Sequence, residues 1–104
     1  MKFNVNQNDF QQALGFCQGV IEKRSTLPIL SNILLDVQNS KLIITATDLD
    51  LIFIHEINNI EVIMEGRTTT TSSTIYDIVR KLSSGKKINL TLTDKNKLHL
   101  ESEK

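Results

Sequence analysis

The chain has 104 residues, with 12 Lys plus Arg against 12 Asp plus Glu and a formal net charge of +0. That length suits one domain with a real core, and the balance excludes a polybasic domain that grips nucleic acid by bulk charge. With 39% hydrophobic and 23% charged residues, disorder is excluded, no apolar run reaches the ~18 residues of a spanning helix, and the N-terminus has no signal-peptide core, so a cytoplasmic location is expected.

Residues 2–6 predict a short strand with Phe3 and Val5 on one face. A helix follows, because Phe10, Ala13, Leu14, Cys17, Val20 and Ile21 recur at spacings of three and four. Asn8 is its predicted N-cap, with Gln11 in the place of a capping-box partner. Its other face, Gln11, Gln12, Gly15, Gln18 and Gly19, is polar and uncharged. Two glycines there each cost ~1 kcal/mol of helix propensity. That face is expected either to be a weak surface or to stay small and neutral beside something else.

Residues 22–30 read as a loop, since Pro28 disfavours helix at Leu27. Ser31–Gln38 and Lys41–Thr47 alternate apolar and polar residues about an Asn39–Ser40 turn, and predict two strands. A third strand runs from Leu51 to Ile57. Both its faces are apolar as far as Ile54, which predicts cover on both sides there. Ile60–Met64 is strand-like, and Glu65–Gly66 reads as a turn.

The pattern then restarts. Arg67–Thr71 is β-prone, and Ser72 or Ser73 is the expected cap of a helix carrying Ile75, Ile78, Val79 and Leu82. Arg80 and Lys81 fall in its last turn, where cations suit the helix dipole. Ser83–Gly85 ends it. Ile88, Leu90 and Leu92 mark a strand, Thr93–Asn96 a turn, and Leu98 and Leu100 a last strand. The order is strand–helix–strand–strand–strand, then strand–helix–strand–strand, an internal repeat whose second unit lacks its third strand after the helix. The last strand is expected to be an unpaired edge, and the domain over 1–104 incomplete at its C-terminal end.

Chemistry-bearing residues are few. Asp48 and Asp50 at i, i+2 could approach one cation, but no third ligand is in view, so no metal is expected. His55 and His99 sit singly in strands and form no triad with a serine and an aspartate. No phosphate-cradling glycine motif is present. Cys17, the single cysteine, excludes an internal disulfide and belongs to the apolar stripe. The Asn89–Thr91 sequon is expected to be inert without a signal peptide. Lys23–Arg24 is a small basic site in the loop.

The run from Arg24 to Leu35, Arg-Ser-Thr-Leu-Pro-Ile-Leu-Ser-Asn-Ile-Leu-Leu, closely resembles a signature of the bacterial sliding clamp family, the β subunit of DNA polymerase III. Thr45-Ala46-Thr47-Asp48-Leu49-Asp50-Leu51 resembles that family's Thr-x-Thr-Asp-Leu-Glu segment. Met1-Lys2-Phe3-x-Val5 and Tyr76-Asp77-Ile78-x-Arg80 fit in the same register, and the resemblance covers all 104 residues.

The resemblance implies an α+β DNA-clamp fold of two β-α-β-β-β units, with two helices on antiparallel sheets. It implies the first domain of a three-domain subunit, with domains two and three absent. Such subunits join head to tail as a dimeric ring around double-stranded DNA, are opened by a clamp loader, and hold the DNA polymerase III catalytic subunit for processive synthesis. Neither enzymatic activity, nor a cofactor, nor a membrane partner is implied. Arg24 matches a DNA-contacting loop position. Ser73 falls where the family often carries a basic DNA-facing residue, and here the charge is gone. Thr74, Ile78 and Leu82 match helix positions of the subunit interface, although Ile78 and Leu82 fit a core helix equally well. Two other readings stay open. One is a stand-alone or remnant clamp-fold interaction domain that never encircles DNA, and the other a small metal-dependent enzyme using Asp48 and Asp50.

Overall fold

The computed structural model describes residues 1–22, 32–47, 52–58 and 60–102, and of residues 20–22 the backbone alone. The elements are β1 (Lys2–Asn6), α1 (Gln7–Glu22), β2 (Asn32–Gln38), β3 (Lys41–Thr47), β4 (Ile52–Asn58), β5 (Glu61–Met64), β6 (Gly66–Thr71), α2 (Ser72–Arg80), β7 (Lys87–Leu92) and β8 (Leu98–Ser102). The described residues thus hold eight strands and two helices, one strand more than the predicted order of the repeat, because Glu61–Met64 forms a strand of its own between β4 and β6.

The strands form two antiparallel four-stranded sheets, ordered β5-β1-β7-β8 and β4-β3-β2-β6. Each sheet mixes the two units of the repeat. β1 pairs with β7, joining Phe3 to Leu90 and Val5 to Ile88, while β6 pairs with β2. The chain crosses between sheets with short links. β5 ends the first sheet at Met64, and β6 enters the second at Gly66, where φ is +156°. A Cβ at Gly66 would stand 3.1 Å from Met1 Cβ, so this crossing needs a residue without one.

Strand alternation puts one face of each sheet inward. Phe3 and Val5, Ile33, Leu35 and Val37, Leu42, Ile44 and Ala46, and Ile88 and Leu90 are all buried. α1 adds Phe10, Ala13, Leu14 and Cys17, and α2 adds Ile75 and Val79 to the same cluster. Four of the six predicted stripe residues of α1 are therefore core. Val20 and Ile21 lie outside the described side chains. The two-residue turn between β2 and β3 has Asn39 at φ 51° and Ser40 at φ 63°, a double left-handed turn that matches strand twist.

Three expectations are corrected. Asn8 does not cap α1; the Oδ1 of Asn6 accepts from the Asn8 N–H at 2.9 Å and from the Asp9 N–H at 3.4 Å. Asn8 instead accepts from the Ser84 hydroxyl at 2.9 Å. Neither Ser72 nor Ser73 caps α2. Thr71 holds the cap position but its hydroxyl donates to Asn32 Oδ1 at 3.4 Å rather than capping the helix, and the buried Ser72 donates its hydroxyl to Gln18 Oε1 at 2.9 Å, tying the helices together. Finally, β4 is not covered on both sides. It is an end strand, and its outer residues Ile52 and Ile54 are 70% and 61% exposed. The paired apolar faces record residue type, not the cover over them.

Candidate nucleic-acid interface

The two helices pack side by side, and Gln7 locks them. It is buried, and its Nε2 donates to the Val79 carbonyl and to Gln11 Oε1, both at 2.8 Å. One of the last carbonyls of α2 is thereby satisfied. Farther along α1, Gly15 lies beneath Tyr76, so that a Cβ there would stand 3.6 Å from the ring edge. Part of the small, neutral face of α1 is therefore spent on α2 itself.

The rest of that face is open. A groove of about 480 Å³ is lined by Gly15, Gln18 and Gly19 of α1 and by Ser73, Tyr76, Asp77 and Arg80 of α2. A neighbouring depression of about 450 Å³ continues over Asn8, Gln11, Gln12 and Phe16, sharing Gly15 and Tyr76. Between Gln7 and Gly19 the first helix carries Asp9 as its one charged residue. The second contributes a carboxylate and a guanidinium: Arg80 Nε lies 3.2 Å from Asp77 Oδ1, and Arg80 Cζ lies 6.0 Å from the centre of the Tyr76 ring. A guanidinium over an aromatic face gains from the ring quadrupole.

At 100° per residue α2 shows three aspects. Ser72, Ile75 and Val79 are buried. Ser73, Tyr76, Asp77 and Arg80 face the groove. Thr74, Ile78 and Leu82 form the opposite flank. Thr74 is exposed, Ile78 is 44% exposed, and Leu82, just past the helix end, is half-buried against the core. The structure thus brings Ser73 into the groove and keeps it apart from the Thr74–Ile78 flank. Arg24, Lys23, Asp48 and Asp50 lie outside the described residues.

Sequence patterning did not single out Tyr76 and Arg80 as members of the groove. The signal was present, since Ser73, Tyr76, Asp77 and Arg80 are spaced to share one helix face. It also missed an aromatic cluster, in which Phe16, 51% exposed, lies 6.4 Å from Phe53 and 6.0 Å from His55 between ring centres.

Among the described residues no three His, Cys, Asp or Glu side chains gather as metal ligands. Burial pushes the Cys17 thiol up to about 11, far from a nucleophilic thiolate. His99 stands on the outer face, 3.6 Å from a Glu101 oxygen. The sequon residue Asn89 donates its side-chain amide to Asn4 Oδ1 at 2.9 Å. Among the described residues, no helix is long and apolar enough to cross a membrane.

Comparison with known proteins gives a consistent picture. A family model described as DNA polymerase III beta subunit, N-terminal domain, matches residues 1–104. The beta sliding clamp of Caulobacter vibrioides is 40% identical over 93 residues, covering 89% of this chain and 25% of that protein. The beta sliding clamp of Escherichia coli is 34% identical over 92 residues, covering 88% of this chain and 25% of that protein. A solved structure of Caulobacter crescentus pol III beta superposes with a TM-score of 0.88 at 38% identity, covering 100% of this chain and 28% of that one. The chain spans about a quarter of the length of these curated relatives.

Proposed function

The chain belongs to the DNA polymerase III beta subunit family, and from that premise we propose that it serves as the N-terminal domain of a sliding clamp. In this reading the clamp is a non-catalytic, cytoplasmic processivity factor. It closes head to tail with a second subunit around duplex DNA, is placed there by a clamp loader, and tethers the replicative polymerase.

The observation that carries the reading is the groove face of the two helices. A tether that travels along DNA must neither read bases nor grip phosphates hard. Base-edge contacts would fix it at a sequence, while many phosphate contacts would hold it by counterion release. The face offers Gly15, Gln18, Gly19 and Ser73 with a single ion-paired arginine, Arg80. Such a surface can pass a phosphate backbone across a layer of water. Arg24 and Ser73 are assigned to the DNA side. Thr74, Ile78 and Leu82 are assigned to the subunit contact, a role supported by the exposed Ile78 on a flank that does not line the groove.

The test is topological. The protein bearing this chain, loaded onto a nicked circular plasmid by its clamp loader and ATP, is expected to stay bound through gel filtration and to be lost when the circle is cut. Equal retention on circular and linear DNA overturns the ring and leaves a stand-alone binding domain.

A further inference from the structure

We infer that Asp77 acts as a brake on Arg80, competing with the DNA backbone for the cation among the described residues of the groove and keeping the phosphate contact weak; the inference rests on the reading of this face as DNA-facing. Three observations converge on it. Among the described residues the groove between the helices is lined by one guanidinium and one carboxylate, and its other lining side chains are uncharged. The two charges are one turn apart on α2, with Arg80 Nε 3.2 Å from Asp77 Oδ1, and both side chains are half-exposed. The Tyr76 ring lies 6.0 Å from Arg80 Cζ, so the guanidinium has a second neighbour in the groove beside the carboxylate.

A guanidinium has five N–H donors, more than one carboxylate can take, so Arg80 can offer hydrogen bonds to a phosphate oxygen while Asp77 holds it. The carboxylate has two effects on that offer. Its charge cancels most of the attraction a phosphate feels at long range, and it repels the phosphate at contact. A phosphodiester must then either share the arginine or displace the aspartate. Each residence at Arg80 is short, as sliding requires. Ser73, on the same face two turns earlier, adds no charge to offset this. The pair therefore sets the electrostatic friction at the groove.

The experiment measures binding of the intact protein to a short fluorescent linear duplex across a potassium chloride series, beside the circular-plasmid retention assay. Arg80→Ala is expected to weaken linear-duplex binding and to flatten the slope of log affinity against log salt by about 0.9, one phosphate contact. Asp77→Asn is expected to tighten binding about 2–5-fold, the size of an unmasked exposed charge, and to slow one-dimensional diffusion on stretched DNA. Asp77→Asn in the Arg80→Ala background is expected to tighten binding far less, because only direct repulsion is relieved and the brake has no arginine to act on. Tightening of equal size in both backgrounds overturns the proposal, since Asp77 would then be only a background negative charge. Retention of the parent on circles, together with a linear-duplex affinity and salt slope that Arg80→Ala leaves unchanged, overturns the brake and leaves the clamp reading standing. Failure of retention on circles overturns both. Melting temperatures of the variants, which alter exposed groups, serve as the control that folding is unchanged.

Discussion

Asn6 shows how one side chain decides where α1 begins. Its Oδ1 takes the N–H groups of Asn8 and Asp9, two of the four that a helix start leaves without partners. Asn8, which the residue pattern favours as the cap, is already inside the helix. Asn6→Ala is therefore expected to cost about 1 kcal/mol and Asn8→Ala much less, read from urea midpoints at constant slope; equal losses would place the cap elsewhere. Cys17 makes a prediction of opposite kind, in pH. Burial raises its pKa from 9.0 to about 11, so the folded state favours the neutral thiol. Below pH 9 the thiol is protonated in folded and unfolded chains alike and this contribution to stability is whole. Between about 9 and 11 the unfolded chain loses its proton first and stability falls. The part of the decline due to Cys17 is expected to vanish in Cys17→Ala, and native Cys17 is expected to resist alkylation at mildly alkaline pH. Rapid labelling of the folded chain would contradict the burial.

At the scale of elements, β4 is the instructive case. Its inner residues Phe53, His55 and Ile57 follow the alternation and face α1 or the core, while Ile52 and Ile54 stand in the open on a strand that ends its sheet. Ile54→Thr keeps the β-branch and removes exposed apolar surface. In this chain it is expected to leave unfolding free energy within about 0.5 kcal/mol and to reduce aggregation at high concentration; a loss above about 1 kcal/mol would mean that Ile54 is packed. The same strand marks the limit of what residue order can tell. Periodicity shows which residues share a face, and for β2 and β3 that sufficed, because each has neighbours on both edges and one inward face. It cannot show whether a second element lies over the other face, and for β4 none of the described elements does. Ser72 was illegible for a related reason: a serine before a helical pattern signals a cap, and only the neighbouring Gln18 turns its hydroxyl inward. The groove was half legible, since the neutral face of α1 is plain in sequence, but its Tyr76 and Arg80 wall belongs to a helix about 60 residues away.

For the whole molecule, the decisive feature is that neither unit of the repeat owns a sheet. β1 lies between β5 of its own unit and β7 of the other, and β2 lies between β3 of its own unit and β6 of the other. Gln7 reaches α2 at Val79, and its backbone N–H donates to the Lys86 carbonyl at 2.9 Å. The halves are thus interleaved, and each buries the other's apolar face. A chain broken between Glu65 and Gly66 tests this. The C-terminal piece would keep a nine-residue α2 and the β7–β8 hairpin, both marginal alone. The N-terminal piece would keep its β2–β3–β4 meander but lose the cover that Ile75, Val79, Ile88 and Leu90 give its core. Each piece alone is expected to melt without a cooperative transition, and an equimolar mixture to regain one. A sharp transition in either piece by itself would show that the repeat unit is an independent folding unit. Failure of the mixture would show that the Met64–Gly66 crossing is needed to bring the sheets together. Cooperative recovery would mean that the helix face lined by both α1 and α2 exists only when both halves have docked, so the groove and the fold form in a single step.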